Sequence, residues 1–165
     1  METKKNNVVI SFTKVNLPYG WLGNMSPYKI KYDGKEWLTV EALFQALRYS
    51  DVEIQEIIRK EKSPMAAKMK SKSFKDKRII VDMGDKDVEN MKMCVRLKIE
   101  QNEEIKRKLL ITKEFDIIED IGSRGGVNHF FWGAKKINGE WVGNNMMGKI
   151  WMELREELRN KISTV

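Results

Sequence analysis

A chain of 165 residues with a net charge of +7 is long enough for one domain with its own buried core. Its 41% hydrophobic and 33% charged residues are globular proportions, and three prolines are too few for a disordered tract. A lone cysteine, Cys94, excludes an internal disulfide framework, and no apolar run reaches the roughly 18 residues that span a bilayer.

The start of the chain lacks a signal-peptide pattern, and no repeat or linker divides it. The expectation is a soluble, cytoplasmic protein with a single domain over residues 1–165. Asn7 to Phe12 is rich in β-branched residues and predicts a strand. Tyr28 to Trp37 alternates around Asp33-Gly34, which predicts a hairpin. Thr39 is placed to cap a helix through Tyr49, with Val40, Leu43, Phe44 and Leu47 on its apolar face.

A helical stretch follows from Asp51 to about Lys60, and Ser63-Pro64 starts another through Lys70. Arg78 to Asp82 reads as a short strand. Asp85 to Gln101 carries Val88, Met91, Val95 and Ile99 at helical spacing, and Asn102 to Leu110 continues as a further helix. Phe115 to Ile121 alternates as a strand. A glycine-rich, loop-like region then leads to an amphipathic helix from Met147 to Ile162. Helices outweigh strands without alternating with them, so the fold class is α+β, mostly helical, with a small β-sheet.

The charge is concentrated. Residues 59–78 hold nine Lys or Arg against Glu61 and Asp76, so this stretch carries the whole excess of +7. It attracts anions, phosphates and nucleic acid among them, although a lysine-rich segment is often only a solvated face. Phe74 is its one aromatic residue, too few for a base-stacking platform.

Glu41 falls in the first turn of its helix, where an acid complements the helix dipole. Gln45 and Arg48 follow at helical spacing, so acid, amide and guanidinium line one stripe. Such a stripe suits acid–base work and anion binding, and it also describes a solvated surface. His129 is the only histidine and lies in the aromatic run Asn128-His129-Phe130-Phe131-Trp132. Packing within that run is the ordinary role for it. No metal-ligand spacing and no phosphate-binding glycine fingerprint occur, so no metal or cofactor is expected.

Several segments, in order, resemble the NADAR family, the YbiA-like N-glycosidases. They are Trp21-Leu22-Gly23-Asn24-Met25-Ser26-Pro27-Tyr28, then Trp37-Leu38-Thr39-Val40-Glu41-Ala42-Leu43-Phe44-Gln45-Ala46-Leu47-Arg48-Tyr49. Ser63-Pro64 with Ala67-Lys68, and Lys98-Ile99-Glu100-Gln101-Asn102 with Thr112, come next. Phe131-Trp132-Gly133, Gly143-Asn144 and Gly148-Lys149-Ile150-Trp151 complete the series. The resemblance spans Trp21 to Leu158 and implies a compact, mostly helical α+β fold. It also implies cleavage of N-glycosidic bonds to ribose, in phosphorylated riboflavin-pathway intermediates or in ADP-ribose attached to nucleobases.

By this resemblance Glu41 is the active-site glutamate, Trp132 stacks on base or ribose, and Lys68 and Arg48 hold phosphates. Asn24, Gln45 and Asn144 line the nucleotide pocket. Two departures stand out. His129 occupies a position where the family usually has aspartate, and Asp82-Met83 stands where it usually has Asp-Trp; a local gap would bring Asp85 into play instead. Cleavage develops positive charge on the sugar, which a carboxylate stabilises while an acid protonates the leaving base. Histidine carries protons near neutral pH, so His129 is the candidate for the second role. A hydrolase is one reading. A module that binds ADP-ribose-like nucleotides without cleaving them is another, and a basic nucleic-acid-binding protein is the third.

Overall fold

The computed structural model describes residues 7–164. In chain order its elements are β1 (Val9–Phe12), β2 (Ile30–Tyr32), β3 (Lys35–Trp37), α1 (Val40–Ala46), α2 (Val52–Arg59), α3 (Pro64–Ser73), α4 (Asp85–Gln101), α5 (Glu103–Ile111), β4 (Asp116–Glu119), α6 (Val127–Trp132), β5 (Lys135–Ile137), β6 (Glu140–Val142) and α7 (Met146–Ser163). The fold is α+β and mostly helical, and its strands form three two-stranded sheets. The chain gathers into two compact units, Asn24–Glu103 and the remainder on either side of it.

In the unit Asn24–Glu103, the β2–β3 hairpin turns through Asp33 and Gly34, whose φ angles of 50° and 74° are both positive. That is the two-residue turn an Asp-Gly pair favours. Three helix starts are fixed by capping side chains, Thr39 and Ser63 as expected and Asp51 in addition. Thr39 Oγ1 accepts from Ala42 N at 3.2 Å, Asp51 Oδ1 from Glu53 N at 2.9 Å, and Ser63 Oγ from Ala66 N at 3.0 Å. Proline follows Ser63 at the first helical position, where its missing N–H is no loss.

α1 packs against α2, α3 and α4, and all seven of its residues are buried. It ends at Ala46, short of Tyr49, because Leu47 to Tyr49 close tight turns. The Tyr49 hydroxyl then donates to Ser71 O at 2.5 Å and pins α3.

Residues 78–82 do not form the strand expected there. Ile79 N donates to Arg48 O at 2.9 Å, but no strand among the described residues pairs with this segment. The Arg78 guanidinium instead spans Tyr49 OH, Ser71 Oγ and Asp82. Side-chain bonds thus hold this irregular segment, with Ile79 and Val81 exposed to solvent.

In the second unit β1 and β4 pair in parallel, Val9 opposite Asp116 and Phe12 opposite Glu119. α7 packs on β4, and Trp151 anchors it: the ring is fully buried, meets Trp21 edge-on at 5.7 Å, and donates from Nε1 to Leu22 O at 3.0 Å. Asn145, just before α7, accepts from Glu119 N at 3.0 Å and donates to Ile117 O at 2.9 Å. The glycine-rich region expected to be loop contains α6 and the β5–β6 hairpin. That hairpin turns on Asn138-Gly139, again with two positive φ angles.

A Cβ added at Gly148 would lie 2.0 Å from Ile117 O, so the close approach of α7 to β4 requires glycine there. Gly148→Ala is expected to destabilise the protein by about 1–3 kcal/mol, the usual range for overpacking a fitted contact. Urea denaturation at equilibrium reads the change; a loss within error would mean that α7 sits farther from β4.

Candidate active site

Glu41 lies in the first turn of α1, where backbone N–H groups and the helix dipole favour a negative charge. Its own N–H donates to Asn24 O at 3.1 Å, tying the turn before the β2–β3 hairpin to the start of the helix. The residue is only 7% exposed, so the stripe is not a solvated face. Gln45, one turn on, donates from Nε2 to Glu41 Oε1 at 2.9 Å and thereby orients the carboxylate. The Gln45 Oε1 is buried and accepts no hydrogen bond among the described residues. An orphaned acceptor beside a buried carboxylate is a place for a ligand hydroxyl or N–H to donate.

Arg48 continues the stripe and is also buried, with its guanidinium 4.5 Å over the Phe44 ring. Asp87, at the start of α4, takes it in a two-pronged pair: Nε to Oδ1 at 2.9 Å and Nη2 to Oδ2 at 2.7 Å. Asp87 is fully buried and also accepts from Met83 N at 2.9 Å. This bond holds Met83 in a left-handed conformation, φ 64°. The remaining Nη1 lies 3.9 Å from Asp82, itself paired with Arg78 at 2.6 Å. Burial alone would push the Arg48 guanidinium down, but Asp87, Asp82 and Glu41 together hold it above its ordinary value.

Asp87 belongs to one stripe of α4 with Met91, Cys94 and Lys98, all buried. Asn24 Nδ2 meets Met91 Sδ at 3.4 Å. Burial and the Glu41 charge raise the Cys94 thiol, which stays protonated. Lys98, 1% exposed, donates from Nζ to Ser26 Oγ at 2.7 Å and lies 5.0 Å from the Tyr28 ring centre. Burial brings its amine down to about 7. Neither Asp87 nor Lys98 is among the site residues expected from the sequence. A signal for them exists, since an acid and a lysine share the helical spacing of Met91, but the apolar series through Val88 and Val95 marks the adjacent stripe as the core face.

Lys68 sits half-buried on α3, which packs against α1, and its ammonium has no hydrogen bond or ion pair among the described residues. Asn24, Glu41, Gln45, Arg48 and Lys68 therefore all belong to the unit Asn24–Glu103.

The second unit holds the other three residues expected from the sequence. His129 and Trp132 are on α6, and the backbone N–H of Asn144 donates to Phe130 O at 2.7 Å, so the three share one neighbourhood. Trp132 is buried, with Phe131 edge-on at 4.9 Å. His129 is half-buried, and its Nδ1 lies 2.7 Å from Gly125 O. A carbonyl only accepts, so Nδ1 is the protonated nitrogen that donates this bond. Among the described residues no three His, Cys, Asp or Glu side chains gather as a metal site would require.

The model of the NADAR domain matches residues 11–159. The N-glycosidase YbiA of Escherichia coli (strain K12) is 34% identical over 153 residues, which cover 92% of this chain and 89% of that protein. A riboflavin biosynthesis protein of Vibrio vulnificus (strain YJ016), VVA0006, is 31% identical over 91% of this chain and 38% of its own length. The solution structure of E. coli YbiA superimposes with a TM-score of 0.80 at 30% identity, covering 95% of this chain and 88% of that one.

Lys98 yields a test of the buried stripe. Its folded-state value near 7 lies below the ordinary 10.5, so the unfolded chain binds the extra proton between those two values. Stability therefore rises with pH across that window. Lys98→Met removes the amine, so its stability advantage over wild type is expected to be greatest below about pH 7. The advantage should shrink steadily toward about pH 10. Denaturation curves at a series of pH values check this, and a pH-independent difference would contradict it.

Proposed function

As a member of the NADAR family this chain is an N-glycosidase, and we propose that it hydrolyses the base–ribose bond of a phosphorylated or ADP-ribosyl nucleoside. The observation that carries this reading is the buried Glu41 carboxylate, oriented by Gln45, with an unsatisfied Gln45 oxygen beside it. In the reaction the bond from C1′ to the base nitrogen breaks and water forms a bond to C1′. One water proton is lost, and the base leaves with a proton on its nitrogen. Glu41 stabilises the positive charge that develops on the sugar and accepts the water proton. Gln45 Oε1 accepts from a ribose hydroxyl, which fixes the sugar over the carboxylate.

Lys68 supplies a cation for a phosphate, its ammonium being uncommitted on a helix packed against α1. Arg48 contributes through Nη1, since Asp87 occupies Nε and Nη2. Trp132 stacks on base or ribose, and Asn24 and Asn144 bond the nucleotide. His129 carries the proton to the leaving base through Nε2; the Nδ1 bond to Gly125 O supports that assignment by fixing the tautomer. The substrate pool is cytoplasmic, and two arms of it are favoured: riboflavin-pathway intermediates, in line with the name of the Vibrio relative, and ADP-ribosylated bases. The observation favouring a binding module instead is His129 at a position where the resemblance calls for a carboxylate, because histidine supplies no negative charge.

Incubation with phosphorylated ribosyl nucleosides and with ADP-ribosylated guanosine, followed by chromatography, is expected to release free base from at least one of them. Ligand bound across about pH 5 to 9 without any base released would favour the binding module. Lys68→Ala should weaken ADP-ribose binding about 10- to 150-fold, the range for a lost charge-assisted hydrogen bond of about 1.5–3 kcal/mol. Lys70→Ala should change it little, and calorimetric titration of both variants separates a phosphate contact from diffuse attraction. If Nε2 carries the proton, His129→Asp should displace the pH profile of turnover without raising its maximum; a raised maximum would instead mark a lost aspartate.

A further inference from the structure

The nine basic residues between Arg59 and Arg78 divide sharply once their partners are known. The two arginines at the ends are committed. Arg59 binds Glu56 through Nε at 2.9 Å and Nη2 at 2.8 Å, and Arg78 binds Asp82, Tyr49 and Ser71. The lysines between them are not. Lys60, Lys62, Lys70, Lys72, Lys75 and Lys77 are exposed, and among the described residues the one ion pair they make is Lys70 with Glu61 at 3.8 Å. Asp76 is the other acid in the stretch. α3 turns Ala67 and Ser71 inward, so Lys70 and Lys72 lie on its solvent side, and Lys75 and Lys77 follow on the next turn.

We propose that this lysine face, from the end of α2 through α3 to Lys77, is a contact surface for the phosphodiester backbone of a nucleic acid strand. Its role is separate from the glycosidic chemistry, since it holds a polymer rather than the scissile bond. Unpaired lysines are point charges that meet phosphates without the forked geometry by which arginine reads bases. Phe74 is the only aromatic residue in the stretch, so bases are not stacked and the contact is indifferent to sequence.

That composition also argues against the other polyanions. Protein interfaces deplete lysine at their centre and enrich aromatics, the reverse of this face. A helix that lies in a membrane surface presents a continuous apolar side with Trp, Phe or Leu. α3 exposes two methionines, Met65 and Met69, and otherwise lysine and serine.

Fluorescence anisotropy with labelled oligothymidylate and oligoadenylate of about 20 nucleotides tests the proposal, with salt titrated upward from about 50 mM. Wild type is expected to bind both with similar affinity, with log K falling linearly against log salt. The variant Lys72→Gln/Lys75→Gln/Lys77→Gln should bind at least tenfold more weakly at low salt. Its salt slope should be shallower by about 2, at about 0.7 for each phosphate that the variant leaves unneutralised. Equal affinity and slope for variant and wild type would overturn the proposal. So would lysine-dependent binding to phosphatidylcholine–phosphatidylserine vesicles with none to the oligonucleotides. Turnover on a free nucleotide should be unchanged in the variant, and its loss alongside oligonucleotide binding would fold these lysines into the nucleotide site and contradict a separate surface. Because anisotropy reads binding alone, it remains decisive even if no glycosidic substrate is cleaved.

Discussion

The pairing of Arg48 with Asp87 is the interaction on which the unit Asn24–Glu103 depends. α1 is buried along its whole length, yet Glu41, Gln45 and the following Arg48 are all polar. A buried charge without a partner is strongly destabilising, and breaking a buried pair costs about 3–5 kcal/mol. Asp87 meets this constraint with both carboxylate oxygens, and the same carboxylate draws in the N–H of Met83. One side chain thus sets the end of α1, the turn before α4 and the position of α4 itself. Glu41, in the first turn of α1, then has the Gln45 amide as its hydrogen-bond partner.

This arrangement separates support from chemistry. The two-pronged ion pair is locked, with Asp87 wholly out of solvent, whereas the Glu41–Gln45 pair ends in an acceptor with nothing to accept. Hydrophobic residues of comparable volume would stabilise such a seam equally well or better. In the second unit Trp151 and Gly148 fix α7, and the bond from His129 Nδ1 to Gly125 O orients the imidazole on α6.

Much of this is legible in the sequence where local chemistry decides. Thr39 and Ser63 cap the helices they precede, and Asp33-Gly34 turns the hairpin, because each acts within four residues of itself. Asn138-Gly139 carries the same hairpin signal, masked by the glycines around it. Residues 78–82 look like a strand by composition, but strand formation needs a partner, and here Arg78 finds side-chain acceptors first. The burial of Glu41 and Arg48 is hidden for a related reason. Their spacing fits a solvated stripe, and only the packing of α4, with Asp87 on its buried side, turns that stripe inward. The lysines, by contrast, stand out at once as charge, but which of them are committed depends on contacts that no local pattern encodes.

On the function proposed above, Glu41 is kept buried for chemistry rather than for stability. The most direct measurement is turnover and unfolding free energy of Glu41→Gln determined side by side with wild type. The substitution preserves shape and removes the negative charge, so turnover should fall by about 10²–10⁴-fold. Stability should stay level or rise, because a buried charge has been removed. A variant that unfolds several kcal/mol more easily, yet turns over at the wild-type rate per folded molecule, would mean that Glu41 serves the fold and not the reaction.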